Sequence, residues 1–406
     1  MIRKKDVRLC AFFLLSPFLS FPYLIHQSIK NNRLAQTCLC LCLGTISMIM
    51  VPPQGDLYRH AITFHQIEEL QSLSELGLFI TINKKFDFLL YLLEFVVAKL
   101  SLQFGIVQFT LISIAYGLFF HLYNIECEQT YLSNQRKKYL FLIILFSVPF
   151  IKISIGLRYA FACVLIVYFI IKRDVLHINS PFDFFLLLLA VCFHFAVSLI
   201  CVMLILRAVL PCLKKSMFIF LIISLFCIST LSSYLILSLP MPEDLASHVQ
   251  EYTAEGKYAD DSYLPARNFF GMMPDLIHTL IVYFFIFLLI RKVSITDETK
   301  VLFYLILLFA FTFPLYSINF RMSIVISIIG AFFIYKYKKG ICKSIIVLFM
   351  LQAFTSSLLP WRTWSTMHWQ YLFAPFPLSL RVDYDENWID KNINNEGGFY
   401  VYEKTK

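Results

Sequence analysis

The chain has 406 residues, of which 59% are hydrophobic and 15% charged, and its formal net charge at pH 7 is +9. Soluble domains are about 45–50% apolar and about 25% charged, so this composition excludes an ordinary soluble domain. The basic residues lie mostly in short loops, where they report membrane topology. No basic run interleaved with stacking aromatics indicates a nucleic-acid partner. Stretches near the ~20 apolar residues that cross a bilayer recur along the chain and predict an all-α, polytopic integral membrane protein.

The first two apolar segments are predicted to be helices. Residues 9–25 follow a basic N-terminus, as in a signal peptide, but no small-residue cleavage site follows, so we interpret them as one uncleaved helix. The second span covers residues 34–51 and ends at Pro52-Pro53, because proline lacks the N–H that a helix needs. Its three cysteines have no zinc spacing and are interpreted as packing residues.

The next segments alternate between polar loops and apolar stretches. An outer loop over residues 52–85 contains the sequence GDLYRH and an acidic, amphipathic stretch. Residues 86–100 are apolar but short and interrupted by Asp87 and Glu94, which favours an interfacial or partly inserted helix. Residues 104–123 are long enough to cross a bilayer.

The following apolar stretches predict a hairpin and a broken helix. The hairpin is formed by residues 139–153 and 156–171, with Lys152 and Arg158 at its turn. Residues 182–210 are too long for one untilted span, which predicts a helix broken near His194.

The second half of the chain predicts five more spans around one long polar loop. The spans are residues 217–239, 276–290, 301–318, 322–335 and 345–359, and the outer loop is residues 240–274. We therefore predict one membrane domain over residues 1–359 with about 11–13 transmembrane helices, some partly inserted or broken at the outer face, followed by a polar tail over residues 360–406.

Basic loops predict the sidedness of the chain. Suppose that residues 86–100 do not cross the membrane and that residues 182–210 cross it twice. The main basic clusters then fall on one side of the membrane, which should be the cytoplasm. The basic N-terminus does not fit this assignment. These clusters are Lys30/Arg33, residues 136–138, Lys172/Arg173, Lys214/Lys215, Arg291/Lys292 and residues 336–339. Four arginines then lie on the outer face against the topological bias: Arg59, Arg158, Arg267 and Arg321. Arginines that break this bias are the better candidates for binding a ligand.

Several outer-face residues are candidates for chemistry, each with a plainer alternative. Arg158 suits a bidentate grip on phosphate, or it snorkels to the lipid headgroups. His194, deep in an apolar segment, is a candidate general base or a core histidine satisfied by a neighbouring hydroxyl. Asp56 is a candidate base or sugar ligand, with Tyr58 and Arg59 beside it, or it is a solvated loop charge.

Two further arginines and two motifs complete the candidates. Arg321, in a short turn between two spans, and Arg267, in the long outer loop, are candidate phosphate or sugar ligands that snorkelling and solvated charge also explain. Asp383-Tyr384-Asp385 matches a D-x-D metal pattern, but the tail is too short for the nucleotide-binding domain around such a site. No P-loop motif occurs, so we predict neither a metal site nor ATP-driven transport.

Three motifs in order resemble a known family. They are Gly55-Asp56-Leu57-Tyr58 after the second span, Gly156-Leu157-Arg158-Tyr159-Ala160 at the start of a helix, and Phe193-His194 with Ser198 about 36 residues later. This order resembles the EpsG-type branch of the Wzy-like bacterial polysaccharide polymerases over roughly the first 210 residues. Tyr159 stands where the family pattern has glutamine.

The resemblance implies a glycosyltransferase of the bacterial cytoplasmic (inner) membrane, active on its outer face and without a cofactor. It would transfer a growing glycan from undecaprenyl diphosphate to the next lipid-linked repeat unit, making O-antigen, capsule or exopolysaccharide. Its partners would be these lipid-linked oligosaccharides, membrane lipids, a chain-length regulator and a flippase. Arginines would stabilise the diphosphate leaving group, and Asp56 or His194 would be the base. We expect Arg158 and His194 to share an outer cavity with Asp56 and Arg321.

Two other classes of function remain open from the sequence. The first is a translocase (flippase) for the same lipid-linked glycans. The second is an O-antigen ligase or an acyltransferase that modifies the glycan at the same face.

Overall fold

The computed structural model describes residues 4–83, 87–207, 209–228, 238, 269–313, 316–337, 342–358 and 367–393. These residues form two compact units. The first comprises Met1–Tyr168, Leu188–Phe195 and Pro360–Lys406, and the second Phe169–Leu187 and Ala196–Leu359. The described residues are helical and contain no sheet, in agreement with the predicted all-α class.

The helices of the first part of the chain are numbered in chain order. They are α1 Lys4–Leu15, α2 Pro17–Ile29, α3 Arg33–Met50, α4 Asp56–Glu69, α5 Leu73–Ile82, α6 Phe88–Lys99, α7 Gly105–Gln129, α8 Asn134–Ser147, α9 Phe150–Ile155, α10 Leu157–Ile170, α11 Asp183–Phe193 and α12 Ser198–Leu206. A π-helical turn, Ile171–Val175, follows α10, and a 3₁₀ turn, Phe195–Val197, separates α11 from α12.

The remaining helices follow after residue 214. They are α13 Lys215–Ile228, α14 Phe269–Lys292, α15 Lys300–Phe311, α16 Tyr316–Tyr337, α17 Cys342–Leu358, and three short helices of the tail, α18 Trp369–Leu372, α19 Phe376–Ser379 and α20 Glu386–Asn392. By length and apolar composition, α3 and α7 are candidate membrane spans, and several other described helices are apolar but shorter. The count of about 11–13 spans stays a prediction.

In the first unit, α3 packs between α2 and α7. A Cβ built on Gly44 of α3 would lie 2.6 Å from the backbone oxygen of Phe109, so only glycine permits this approach of α3 to α7. A buried polar network joins the same helices to α9. Gln108 Nε2 donates to Ser47 Oγ at 2.9 Å, and the Ser47 hydroxyl lies 2.7 Å from Ser154 Oγ. Ser154, which belongs to this network, precedes the Gly156 turn and Arg158 in the chain.

The tail belongs to the first unit and packs on α1 and α3. The Phe376 ring lies 4.7 Å from that of Phe13, and the Tyr384 hydroxyl donates to Ile49 O at 2.6 Å. Asp385 caps α20 by accepting from Trp388 N at 2.8 Å. The D-x-D pattern of the tail therefore contains a helix cap and a packing tyrosine.

In the second unit, α14 packs on α16 and α17, and α13 packs on α15. His278 of α14 is fully buried, with Nε2 2.7 Å from Ser323 Oγ and Nδ1 2.7 Å from Gln352 Nε2. Because the amide donates to Nδ1, Nε2 carries the hydrogen and donates to the serine. This chain of hydrogen bonds joins α14 to α16 and α17.

Several predicted boundaries are confirmed. The second span ends at Met50, just before Pro52-Pro53. The segment with Asp87 and Glu94 forms the 12-residue helix α6, about 18 Å long at the usual rise and too short to cross a bilayer. The predicted break near His194 is also present, because α11 ends at Phe193.

Three predicted boundaries were wrong. The hairpin limb predicted over residues 139–153 is divided between α8, which ends at Ser147, and α9, which begins at Phe150 after Pro149. The first apolar segment is two helices, because Pro17 starts α2 and the Ser16 hydroxyl caps it by accepting from Leu19 N at 3.4 Å. Residues 319–321 are not a turn between spans. They lie within α16, since α15 ends at Phe311, shortly before Pro314 of the sequence.

Candidate active site

Asp87 is the centre of a cluster in the first unit. It precedes α6, and its carboxylate accepts from the backbone N of Phe195 at 2.6 Å and from His194 Nδ1 at 2.9 Å. The same carboxylate lies 3.1 Å from Arg158 Nη1. The side chains of Asp87, Arg158 and His194 are 11%, 20% and 7% exposed, so a nearly buried carboxylate joins both predicted site residues.

The break between α11 and the 3₁₀ turn explains how the chain forms this contact. His194 N still donates to Ala190 O at 2.9 Å, but the next N–H, that of Phe195, points to Asp87 instead of continuing the helix. A helix that ends inside an apolar region must satisfy its backbone groups with other parts of the protein. The Asp87 carboxylate provides that partner.

The contacts of Asp87 determine the chemistry of His194. An ionised carboxylate only accepts hydrogen bonds, so the hydrogen of the neutral imidazole is on Nδ1 and its basic nitrogen is Nε2. The ring of Tyr159 packs edge-on against the imidazole, with centroids 5.6 Å apart. His194 is therefore held in one tautomer and one orientation, as a general base requires.

The charge state of Asp87 follows from the same contacts. Burial by itself would raise the pKa of this carboxyl, but the hydrogen bond and charge of His194, the charge of Arg158 and the Phe195 N–H hold it below its usual value. The carboxylate is thus ionised at neutral pH. Arg158 also stands in the first turn of α10, where backbone N–H groups and the helix dipole add positive potential.

Asp56 begins a second group on α4. Gly55 precedes it with φ 57° and ψ −122°, a conformation that glycine adopts without strain and other residues rarely do. A Cβ on Gly55 would lie 3.9 Å from the side chain of Ile155, so the first motif lies beside the turn before Arg158. Asp56 is 33% exposed, and its carboxylate lies 4.0 Å from Arg59 Nη1 and 3.8 Å from His60 Nε2.

A buried pair lies behind Asp56. His60 Nδ1 is 3.3 Å from Glu94 Oε1, and the two side chains are only 4% and 0% exposed. Tyr91 lies one turn before Glu94 on α6 and interacts electrostatically with Arg158, Glu94, Asp87 and Asp56. The group around Asp87 and the group around Asp56 therefore both lie close to α6.

The predicted site residues are distributed as follows. Asp56, Tyr58, Arg59, Arg158 and His194 all lie in the first unit, with Tyr58 half-buried and Arg59 exposed. Arg321 lies in α16 of the second unit, and its place in a shared cavity stays a prediction. Arg267 lies outside the described residues. Among the residues described, no group of three or more His, Cys, Asp or Glu side chains is arranged to hold a metal ion.

Sequence patterns did not single out Asp87, His60 and Glu94. Asp87 and Glu94 interrupt an apolar segment, and that interruption served only as evidence against a spanning helix. An ionisable residue in an apolar helix costs free energy, so such a residue is by default a candidate for function. This argument would have identified Asp87 and Glu94 from the sequence. His60 stands four residues after Asp56, on the same face of α4.

Comparison with known families identifies the chain. The family model of the EpsG family matches residues 37–377. The chain belongs to the EpsG family. This is a family of Wzy-like polysaccharide polymerases, so membership and the apolar helices together point to a membrane protein of polysaccharide biosynthesis. The match extends well beyond the first 210 residues, to which the three motifs are confined. No curated protein and no solved structure matches the chain.

Proposed function

We propose that this EpsG-family protein is a membrane glycosyltransferase that polymerises undecaprenyl-diphosphate-linked oligosaccharide repeat units at the outer face of the bacterial inner membrane. Its product would be O-antigen, capsule or exopolysaccharide, and a flippase and a chain-length regulator would be its partners. The observation that carries the proposal is the Asp87 carboxylate, which bonds His194 and pairs with Arg158. One carboxylate thus brings a candidate base and a candidate phosphate ligand to the same point.

In the proposed reaction, the hydroxyl at the non-reducing end of the acceptor repeat unit attacks the anomeric carbon of the donor glycan. His194 Nε2 takes the hydroxyl proton as the new C–O bond forms. Asp87, bonded to Nδ1 at 2.9 Å, stabilises the imidazolium that results. A positioned base of this kind contributes roughly 10²–10⁴-fold to a rate.

The bond that breaks joins the anomeric carbon to the diphosphate oxygen, so negative charge develops on undecaprenyl diphosphate. Arg158 is the candidate cation for that charge. A guanidinium carries five N–H donors in a planar arrangement that binds phosphate oxygens in pairs. The first turn of α10 would add the positive end of its dipole.

The buried His60–Glu94 pair gives the same site a second acid–base group. Asp56 faces His60 from the exposed end of this group, with 3.8 Å between Oδ2 and Nε2. In the proposed reaction, Asp56, Tyr58 and Arg59 bind acceptor sugar hydroxyls. Arg267 and Arg321 are further candidate ligands of the glycan or diphosphate.

The proposal is tested by complementing a deletion strain with single variants. Arg158→Ala, His194→Gln and Asp87→Asn are each expected to abolish polymer longer than one repeat unit, with the protein level in the membrane measured for each variant. Arg136→Ala, a cation on α8 outside the site, is the matched control and should restore full-length polymer. Full-length polymer from Arg158→Ala or His194→Gln would refute the assigned roles.

The phenotype of the deletion separates this function from its alternatives. Loss of a polymerase leaves single repeat units exported on their lipid carrier. Loss of a translocase instead leaves precursor facing the cytoplasm, loss of a ligase leaves polymer on its lipid, and loss of an acyltransferase leaves chain length unchanged. An assay with purified protein and lipid-linked repeat units extracted from the deletion strain would measure polymerisation directly.

A further inference from the structure

A basic cavity of about 640 Å³ lies within the second unit. It is lined by two segments, residues 212–215 before and at the start of α13, and residues 291–295 at and after the end of α14. Its volume is within the range of small-molecule pockets. Of its nine lining residues, four are cations (Lys214, Lys215, Arg291 and Lys292) and none is a carboxylate.

The positive charge of the basic cavity is not paired within the described part of the chain. None of its four cations forms an ion pair with a carboxylate there. The nearest acidic side chain in sequence, Asp297, is occupied by Lys300 at 2.9 Å and by the Cys212 thiol at 3.4 Å. Four like charges around one cavity repel each other, so a bound anion would stabilise this arrangement.

One hydrogen bond joins the two segments: Lys215 Nζ donates to the backbone oxygen of Arg291 at 3.4 Å. Two more attach the chain just before the cavity to α15. Lys300 Nζ donates to Leu210 O at 3.0 Å, and the Tyr304 hydroxyl to Pro211 O, also at 3.0 Å. These three contacts involve no carboxylate, so they leave the positive charges in place.

Exposed apolar side chains extend from the basic cavity along both helices. On α13 they are Met217, Phe220 and Ile223, and on α14 they are Phe287, Phe284 and Leu280, each between 38% and 68% exposed. Residues three or four apart share one face of a helix, so each helix carries an apolar strip that begins within one or two turns of the cations. The cations themselves belong to loops that the charge pattern assigns to the cytoplasmic side.

We propose that the basic cavity binds the phosphate headgroup of an anionic membrane phospholipid, whose acyl chains lie along the apolar strips of α13 and α14. The headgroup phosphate would neutralise the four cations, and the acyl chains would cover apolar surface that begins beside them. Basic pockets at the cytoplasmic ends of membrane helices bind anionic lipids in this way. A free phosphate would satisfy only the cations and, at an open site in physiological salt, would be held weakly.

The test uses purified full-length protein in detergent and native mass spectrometry. Phosphatidylglycerol and phosphatidylcholine with the same acyl chains are added at equal concentration, and the bound lipid is counted. We expect the protein to retain phosphatidylglycerol at least tenfold better than phosphatidylcholine. Inorganic phosphate and glycerol 3-phosphate are added separately as soluble competitors that carry the charge without the acyl chains.

Two double variants with the same loss of charge serve as the comparison. Lys214→Ala with Lys292→Ala removes two exposed cations of the cavity and is expected to abolish the preference for phosphatidylglycerol. Lys137→Ala with Lys138→Ala removes two lysines of α8 that do not line the cavity and should leave the preference intact. The thermal unfolding of each variant is measured beside the wild type to verify folding.

Three outcomes would overturn the proposal. The first is an unchanged preference in the cavity variant. The second is an equal loss in both variants, which would indicate general surface attraction. The third is displacement of phosphatidylglycerol by millimolar inorganic phosphate, which would indicate a site for a soluble anion. None of these outcomes depends on polymerase activity.

Discussion

Asp87 combines two roles that a single side chain seldom has together. It accepts from a backbone N–H left by a helix break, and it holds the charged or polar groups of Arg158 and His194. Removing one partner of a buried pair leaves the other charge without compensation, which costs more than the pair itself contributes. Asp87 is therefore expected to matter for stability as well as for activity.

The stability contribution is tested by Asp87→Asn. We expect the free energy of unfolding in detergent to fall by about 3 kcal/mol, because Arg158 would stay buried opposite a neutral amide. The control is Glu128→Gln, which removes the exposed ion pair with Arg33, whose side chains are 55% and 74% exposed. An exposed pair contributes at most about 1 kcal/mol. Equal losses in both variants would contradict the buried role of Asp87.

The pH dependence follows from the lowered pKa of Asp87. A carboxyl whose pKa is lower in the folded state adds stability above its unfolded pKa of about 3.9 and loses it as the pH falls through the folded value. The stability difference between wild type and Asp87→Asn should thus not decline between neutral pH and about pH 4, since protonation of His194 beside the carboxylate can only increase it, and should shrink only below that. Unfolding measured across this range checks it. A difference that already declines near pH 6 would mean a raised pKa.

At the scale of elements, the close approach of α3 and α7 depends on a glycine. The two helices also share the network of Gln108 and Ser47, which reaches Ser154 of α9, two residues before the Gly156 turn. A change in the spacing of α3 and α7 would therefore be transmitted to the turn that positions Arg158. Dense packing makes such a displacement costly.

This dependence predicts opposite effects for the same substitution at two glycines. Gly44→Ala should destabilise the protein by about 1–3 kcal/mol, because the added Cβ would lie 2.6 Å from the Phe109 backbone oxygen. Gly77→Ala on α5 has open space around it and should stabilise by about 0.5–1 kcal/mol through helix propensity. Unfolding of both variants under the same conditions is the measurement. A stabilising Gly44→Ala would show that the α3–α7 contact is looser than described.

For the protein as a whole, the distribution of basic residues predicts which side of the membrane each connecting segment faces. The segment after α3, with Asp56 and Arg59 at the start of α4, should face outward, and the start of α8, with Arg136, should face the cytoplasm. The candidate base and its arginine would then be accessible from outside.

Sidedness is tested by labelling single cysteines in intact cells, in a background where the exposed Cys212 and Cys227 are replaced by serine. Gln71→Cys, in the exposed connection between α4 and α5, should react with a membrane-impermeant maleimide from outside. Gln135→Cys, exposed at the start of α8, should react only after lysis. The reverse pattern would place Asp56 in the cytoplasm and refute the proposed outer-face reaction.

The helical membrane class, the family and several boundaries were predictable from the sequence, because they depend on local chemistry. Apolar stretches, prolines and basic loops act over one helix or one turn, so the end of α3 at Pro52-Pro53 and the break at His194 were predictable. A predicted boundary was wrong where hydropathy and a helix-start pattern disagreed. The apolar run of residues 9–25 suggested one helix, although Ser16-Pro17 divides it.

The contacts of Asp87, His60 and Glu94 follow from the fold and from no local pattern. The Asp87–His194 hydrogen bond joins residues 107 positions apart, and hydropathy contains no information about such a pair. In sequence, Asp87 is a charge that shortens a helix. In the folded chain its carboxylate accepts hydrogen bonds from the Phe195 N–H and from His194 and pairs with the charge of Arg158. Burial makes an unpaired charge or N–H costly, so each of these groups needs a partner.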